Sequence, residues 1–325
     1  MYKPLTSTYN FHSRLENSRI KLQISYQKEK YKIGESQGFI INQKNVGKIN
    51  NLFLVIPKHS IFDDGISSVK VTSSYFKRYT GSYLPKSFYT VNNLDIAILQ
   101  IRSKYINEDE IINTDEFNTN LENNQMLFSF QIGTTNSFFK SSNFKYFDYQ
   151  QTNDFGETIK TPSVKLIRCN LQEKKINDTV IKNSHGMSGT LSFTSKSNKI
   201  HSMFIGTDNF DLIFIPIFYV KFMINEFENL KKNVGINFID LKVKIDKNNK
   251  LLCIENYQRL KQGDIIQKIN NLNIIGPYVF SKDLNITIMI DQYIMLYPKD
   301  KFVFTICSKS KNETTHVLVQ ASKVK

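Results

Sequence analysis

From residue 20 onward the apolar residues either alternate with polar ones or fall in short continuous runs, the spacing of strands rather than of helices. Leu22, Ile24 and Tyr26 alternate with polar neighbours, as do Val69 and Val71; residues 38–41 and 52–56 are short runs, and 94–101 is a longer one. A second group follows at 126–132, 164–167, 190–193, 203–205 and 212–217. The pattern predicts a mostly β chain with two strand-rich lobes, about 20–122 and 123–216. A chain that turns back so often brings residues far apart in sequence into one cleft.

One segment departs from this. In IFYVKFMINEFENLKK, Val220, Met223, Ile224, Phe227 and Leu230 recur at i, i+3, i+4, i+7 and i+10, one face of a helix. The spacing predicts a linker helix over 217–232, with Gly235 just beyond as a stop. Leu241, Val243 and Ile245 then alternate again, and GDIIQKINN and DKFVFTI are two more strand signals, so a small third domain is expected over 233–325. Residues 1–19 are left as an N-terminal arm, expected to be loose.

With 40% hydrophobic and 13% aromatic residues in 325, the chain can bury a substantial core, and disorder is excluded for most of it. Cys169, Cys253 and Cys307 are widely spaced with no CxxC pair; they read as small core residues in a reducing compartment, and no structural zinc site is expected. The first 19 residues hold no signal-like apolar run, and the most apolar stretch, 212–224, is interrupted by Pro216 and Lys221. An intracellular, cytoplasmic protein with no membrane span is expected. The net charge of +14 would ordinarily suggest nucleic acid. However, 37 of the 43 basic residues are Lys, and the chain has 40 Ile and 34 Asn against 2 Ala, all in keeping with A/T-rich codons. The excess therefore reads as a solvated lysine surface with no specific nucleic-acid partner, and the genome as A/T-rich, such as that of a large DNA virus, with the virion or host cytoplasm as the setting.

The sharpest chemical feature is HGMSGT, residues 185–190. A serine between glycines can project its hydroxyl from a tight turn, while the N–H groups of Gly186 and Ser188 converge on one point, as an oxyanion requires. A serine alcohol needs a general base, itself oriented by a carboxylate. His59 follows the buried run LFLVIP, and Asp95 opens LDIAIL, each at the end of a core segment. The order His, Asp, Ser, with the serine in the second lobe, is that of the two-barrel serine proteases.

Longer segments carry a resemblance over nearly the whole chain. GESQGFIIN (34–42) resembles the G-x-S-x-G-F-I-I strand that precedes the catalytic histidine in the HtrA/Deg family of chymotrypsin-fold serine proteases. LVIPKHSI, NNLDIAILQI and GMSGT resemble that family's His, Asp and Ser segments, and NKIHSMFIGTD with DLIFIPI its last strand pair before the linker helix. NVGINF resembles the carboxylate-binding loop of a PDZ domain, and LKQGDIIQKINNLNI and YPKDKFVFTI its later strands.

The resemblance implies two chymotrypsin-like β-barrel lobes within 20–232 and a PDZ-like domain over 233–325. It implies an ATP-independent serine endopeptidase working through an acyl-enzyme, with His59 as general base, Asp95 as its orienter, Ser188 as nucleophile and the Gly186 and Ser188 N–H groups as oxyanion hole. Its substrates would be proteins or peptides with a small or medium aliphatic residue before the cut, next to Val180, Ile181 and residues 201–205. No metal and no organic cofactor are needed. Val234, Gly235, Ile236, Asn237 and Phe238 would offer exposed backbone to a peptide that ends in a free carboxylate. The family's trimers are built through N-terminal aromatics, a role Tyr2, Tyr9 and Phe11 suit, so a homo-trimer is an expectation.

Some positions depart from the family pattern. Met187 and Thr190 replace the residues usual beside the nucleophile, and Lys58 brings a cation next to His59. An alternative therefore stands: a catalytically impaired pseudo-protease that serves as a peptide-binding or assembly module. His185 reads as a turn or pocket-rim residue rather than the base, and Asp63 and Asp64 as solvated turn residues. His201 either lines the substrate pocket or is a plain surface strand residue. His12 and His316 are assigned no chemistry. Asn271, where PDZ sequences have glycine, is expected to keep a left-handed turn.

Overall fold

The alternation of Leu22, Ile24 and Tyr26 becomes strand β1 (Arg19–Tyr26), which buries Ile20, Leu22 and Ile24 and exposes Lys21, Gln23 and Ser25. The structure is a computed structural model. It describes residues 6–324 except 27–32, 44–49, 62–65, 74–80, 92–93, 104–110, 119–127, 132–137, 142–143, 150–163, 172–173, 183, 185, 195–197, 226, 231–235, 282–285, 298 and 309–312. The chain divides into two compact units. The first holds most residues up to Leu230; the second holds residues 231–325 with the short segments 119–122 and 149–164.

The first unit contains both predicted lobes. In the first lobe, β1 pairs antiparallel with β2 (Ile33–Gln43) and with β4 (Ile66–Ser73). The sheet extends through β3 (Asn50–Ile56), β7 (Ala97–Ser103) and β6 (Tyr89–Thr90) on one side and β5 (Gly81–Tyr83) on the other, with β8 (Ile112–Asn113) parallel to β2. Its two ends share one apolar core, and Tyr83 of β5 meets Phe88, the residue before β6, edge to face at 6.4 Å. A sheet whose ends touch is curled into a barrel. Gly38 lets β2 and β3 approach closely, because a Cβ there would lie 2.5 Å from Ile56 Cγ2 and from the Val55 carbonyl.

The second lobe orders β10 (Phe138–Ser141), β9 (Phe128–Gln131), β13 (Leu191–Thr194), β14 (Lys199–Asp208), β15 (Asp211–Pro216), β12 (Val164–Cys169) and β11 (Phe144–Tyr149). It too curls on itself: the Ser141 hydroxyl at one edge donates to the carbonyl of Asn170, just past β12, at 2.8 Å. Cys169 is buried here and its thiol is pushed up to about 12 by burial.

Two helices were not anticipated. The N-terminal segment, expected to be loose, forms α1 (Thr6–Asn17). Phe11 and Leu15 are buried, Phe11 packs edge to face on Phe193 of β13 at 5.3 Å, and the Arg14 guanidinium pairs with Glu116 at 2.6 Å. Two apolar residues one turn apart are too few to reveal a helical period, so packing rather than propensity decides this element. α2 (Lys174–Lys182) turns Val180 into the second lobe's core beside Phe204 and Phe214. The linker helix is α3 (Ile217–Asn225) followed by α4 (Phe227–Leu230). Val220, Met223, Ile224 and Phe227 are buried as predicted, with Phe227 edge to face on Phe53 at 5.1 Å. Gly235 lies outside the described residues.

In the second unit β16 (Ile236–Phe238) pairs with β25 (Ser322–Val324). A separate sheet runs β17 (Val243–Ile245), β18 (Leu251–Cys253), β19 (Ile265–Ile269), β20 (Leu272–Ile275), β21 (Tyr278–Ser281) and β22 (Ile286–Met289), with β23 (Lys301–Cys307) on β19 and β24 (Thr314–Gln320) on β23; α5 (Ile290–Leu296) follows β22. Ile269 faces Leu272 across a two-residue loop, in which Asn270 and Asn271 have φ of 47° and 68°. The left-handed conformation expected of Asn271 is present, and both central residues share it, as a type I′ hairpin turn requires. No helix among the described residues is long and apolar enough to cross a membrane.

Candidate active site

His59 stands on a 3-10 turn (Lys58–Ser60) that Pro57 joins to the end of β3. Asp95 lies in irregular backbone two residues before β7, the strand that pairs with β3, so the pairing of the two strands brings the residues together. The His59 main-chain N–H donates to Asp95 Oδ1 at 2.8 Å, and Nδ1 lies 2.6 Å from Oδ2. A carboxylate only accepts, so Nδ1 carries the proton and Nε2 presents its lone pair. Nε2 is 3.1 Å from Ser188 Oγ, which also has the Ile205 carbonyl within 3.4 Å. His59 and Asp95 side chains are 47% and 26% exposed, so the pair is reachable from solvent.

Ser188 sits on a loop held from two sides. Within the second lobe the Gly189 N–H donates to the Phe204 carbonyl at 2.7 Å, and Phe204 N–H to Thr190 at 2.8 Å. From the first lobe, Gln37 N–H and the Ser36 hydroxyl both donate to the Ser188 carbonyl, at 2.9 and 3.1 Å. Gly186 and Gly189 have φ of 74° and 100°, where L residues are strained, and a Cβ on Gly189 would lie 2.0 Å from the Gln37 carbonyl. Among the described residues neither the Gly186 nor the Ser188 N–H is given to a main-chain carbonyl. Met187 is buried with its sulfur 3.2 Å from Gln37 Nε2, and Thr190 turns its hydroxyl back to the Met187 carbonyl at 2.7 Å. The two residues that depart from the family pattern thus tighten the loop from inside.

Ser188, His59 and Gly186 open on a cavity of about 660 Å³. Lys58 is half-buried, and burial lowers its pKa while the Asp95 charge opposes that. Among the described residues no cluster of three or more His, Cys, Asp or Glu is arranged to hold a metal.

Several expectations need correction. His201 is neither pocket wall nor surface residue: it is 1% exposed, its Nε2 lies 3.0 Å from the Tyr146 hydroxyl, and burial lowers its pKa to about 4. The cavity is lined by the later residues of β14, 204–207, whereas His201 lies in its continuously buried stretch, 200–204. Val180 packs in the core for the reason given above. His185, Asp63, Asp64, Val234 and Gly235 lie outside the described residues. Ile236, Asn237 and Phe238 form β16, whose backbone is not wholly exposed, because one edge is paired with β25. Asn237 is buried and donates through Nδ2 to the carbonyls of Tyr297 and Lys299 at 2.6 and 2.7 Å. Sequence reasoning assigned no role to Ser36 and Ser60, whose hydroxyls meet at 2.7 Å and which line the cavity with His59; their partners are 24 and 152 residues away, and no local pattern reports that.

No family model matches the chain, and no curated protein matches it. Among solved structures it is similar to a serine endoprotease from Yersinia pestis, with 10% identity and a TM-score of 0.48 over 99% of this chain and 100% of that one. It is also similar to the HtrA-type protease AlgW with a tripeptide (10% identity, TM-score 0.48, 98% of this chain and 97% of that one). A third is a protease of M. tuberculosis in its active form (12% identity, TM-score 0.39, 66% of this chain and 82% of that one).

Proposed function

We propose that the chain is a serine endopeptidase that cleaves peptide bonds through an acyl-enzyme without ATP. The observation that carries the reading is the continuous hydrogen-bonded chain from Asp95 through His59 to Ser188 at the edge of an open cavity. Ser188 Oγ attacks the scissile carbonyl as His59 Nε2 takes its proton, and Asp95 holds the imidazole in the needed tautomer and stabilises its charged form. The Gly186 and Ser188 N–H groups receive the oxyanion. His59 returns the proton to the leaving amine, and water, activated by the same imidazole, releases the acyl group. The test is labelling by a fluorophosphonate probe beside hydrolysis of an unfolded protein. Wild type should label and cleave, and Ser188→Ala and His59→Ala should do neither; cleavage undiminished in both variants refutes the reading.

We also propose that the second unit is PDZ-like and binds a peptide along the edge of β16 opposite β25, with the terminal carboxylate held near residues 234–235. What supports this is a strand with one unpaired edge among the described residues and α5 packed beside it. The full chain should bind a labelled peptide with a free C-terminus better than its amide, and equal binding would count against it.

A further inference from the structure

The cavity at Ser188 has two unlike walls. The second lobe supplies Ser184, Gly186 and residues 204–207, none of them charged. The first lobe supplies Ile24, Tyr26, Ser36, His59 and Ser60, together with Glu35, the one carboxylate among the described lining residues. Glu35 is exposed on β2, and no ion pair to it occurs among the described residues. Its position is fixed by the nucleophile loop itself. Two residues further along β2, Gln37 N–H binds the Ser188 carbonyl, and a Cβ built on Gly186 would lie only 3.7 Å from Glu35 Cβ. The acidic side chain therefore starts within one side chain's reach of the point where the scissile carbonyl is held. In a chain of net charge +14, an exposed acid at that point is a selective feature rather than part of a general acidic surface.

In the reaction proposed above, the amine half of the substrate leaves with the proton that His59 delivers, so its chain runs along the wall that carries His59. We infer that Glu35 selects substrates with Lys or Arg just C-terminal to the scissile bond. This rests on the peptidase reading for the direction of the chain, but the charge preference is a property of the cavity. An exposed carboxylate and a flexible cation gain little from pairing, so the expected preference over a neutral residue is about twofold to fivefold, and it shrinks with added salt.

The test has two arms, both on the full chain with a library of decapeptide amides, which removes free carboxylates as ligands for the second unit. In the first, wild type, Glu35→Gln and Glu35→Lys digest the library and the cuts are mapped by mass spectrometry. Lys and Arg should be enriched after the cut by wild type, neutral in Glu35→Gln and depleted in favour of Asp and Glu in Glu35→Lys. In the second arm, Ser188→Ala chains with and without the Glu35 substitutions retain peptides without cutting them, and basic peptides should be enriched only where Glu35 is present. Unchanged residue preference in the Glu35 variants, in either arm, overturns the inference. Absence of all cleavage and of fluorophosphonate labelling refutes the peptidase reading, and the retention arm still decides the role of Glu35.

Discussion

Asp95 takes two hydrogen bonds from one residue: the His59 main-chain N–H on Oδ1 at 2.8 Å and the imidazole Nδ1 on Oδ2 at 2.6 Å. Both carboxylate oxygens are thereby committed to setting the backbone and the ring of His59. Replacing Asp95 by Asn keeps an acceptor but puts a donor on the second position, which favours the tautomer with its proton on Nε2. Asp95→Asn should therefore lower the rate of fluorophosphonate labelling by about 10⁴, as tautomer loss does in triads of this kind, while thermal unfolding stays within a few degrees of wild type. An equal rate in the two proteins would show that Asp95 does not orient the base.

Gly189 is the tightest point of the nucleophile loop. An added methyl would meet the Gln37 carbonyl at 2.0 Å on a backbone with φ of 100°, so Gly189→Ala must move β2 or the loop. Urea unfolding should show a loss of about 2–4 kcal/mol, and labelling should fall with it. Gly81→Ala is the control, because its nearest new contacts are the Tyr83 ring at 3.4 Å, ordinary packing, and it should be tolerated.

His201 makes stability depend on pH. Burial holds its imidazole neutral down to about pH 4, whereas in the unfolded chain it is protonated near the ordinary value of 6.5. Between those limits the unfolded chain binds the extra proton. The His201 contribution is therefore intact above pH 6.5 and is lost as pH falls toward 4, by up to about 3 kcal/mol. Urea midpoints from pH 7 to pH 4 should fall less steeply for His201→Asn than for wild type; parallel slopes would place the acid sensitivity elsewhere.

Phe11 ties α1 to the second lobe. Phe11→Ala removes a buried ring that packs on Phe193 and should cost about 3 kcal/mol. Limited proteolysis should then cut within Thr6–Asn17 faster than in wild type, whereas a segment that was loose from the start would be cut equally in both.

How far the sequence was legible follows from which contacts are local. The alternation in β1 and the helical stripe of Val220, Met223 and Ile224 were readable because each records burial of one face of one element. Asn271 was readable because a left-handed turn is a property of its own residue. α1 and α2 were not, since each shows only a sparse apolar pattern and is held by residues far away in the chain, Phe193 and Glu116 for α1 and Phe204 and Phe214 for Val180 of α2. His201 was misplaced because its neighbours in sequence do not reveal Tyr146, 55 residues away.

For the candidate site, the sequence by itself determined the residue types and their order: a histidine and an aspartate at the ends of core segments, then a serine between glycines. Only the tertiary structure decided that Asp95 lies within 2.6 Å of His59 Nδ1 and Ser188 within 3.1 Å of Nε2, and that Ser36, Gln37 and Glu35 stand against the nucleophile loop. The division has a physical cause. Burial and turn conformation act on residues near in sequence and leave a periodic trace, whereas the distances that permit proton transfer arise from strand pairing and from packing of the two lobes, across separations of 36 and 129 residues.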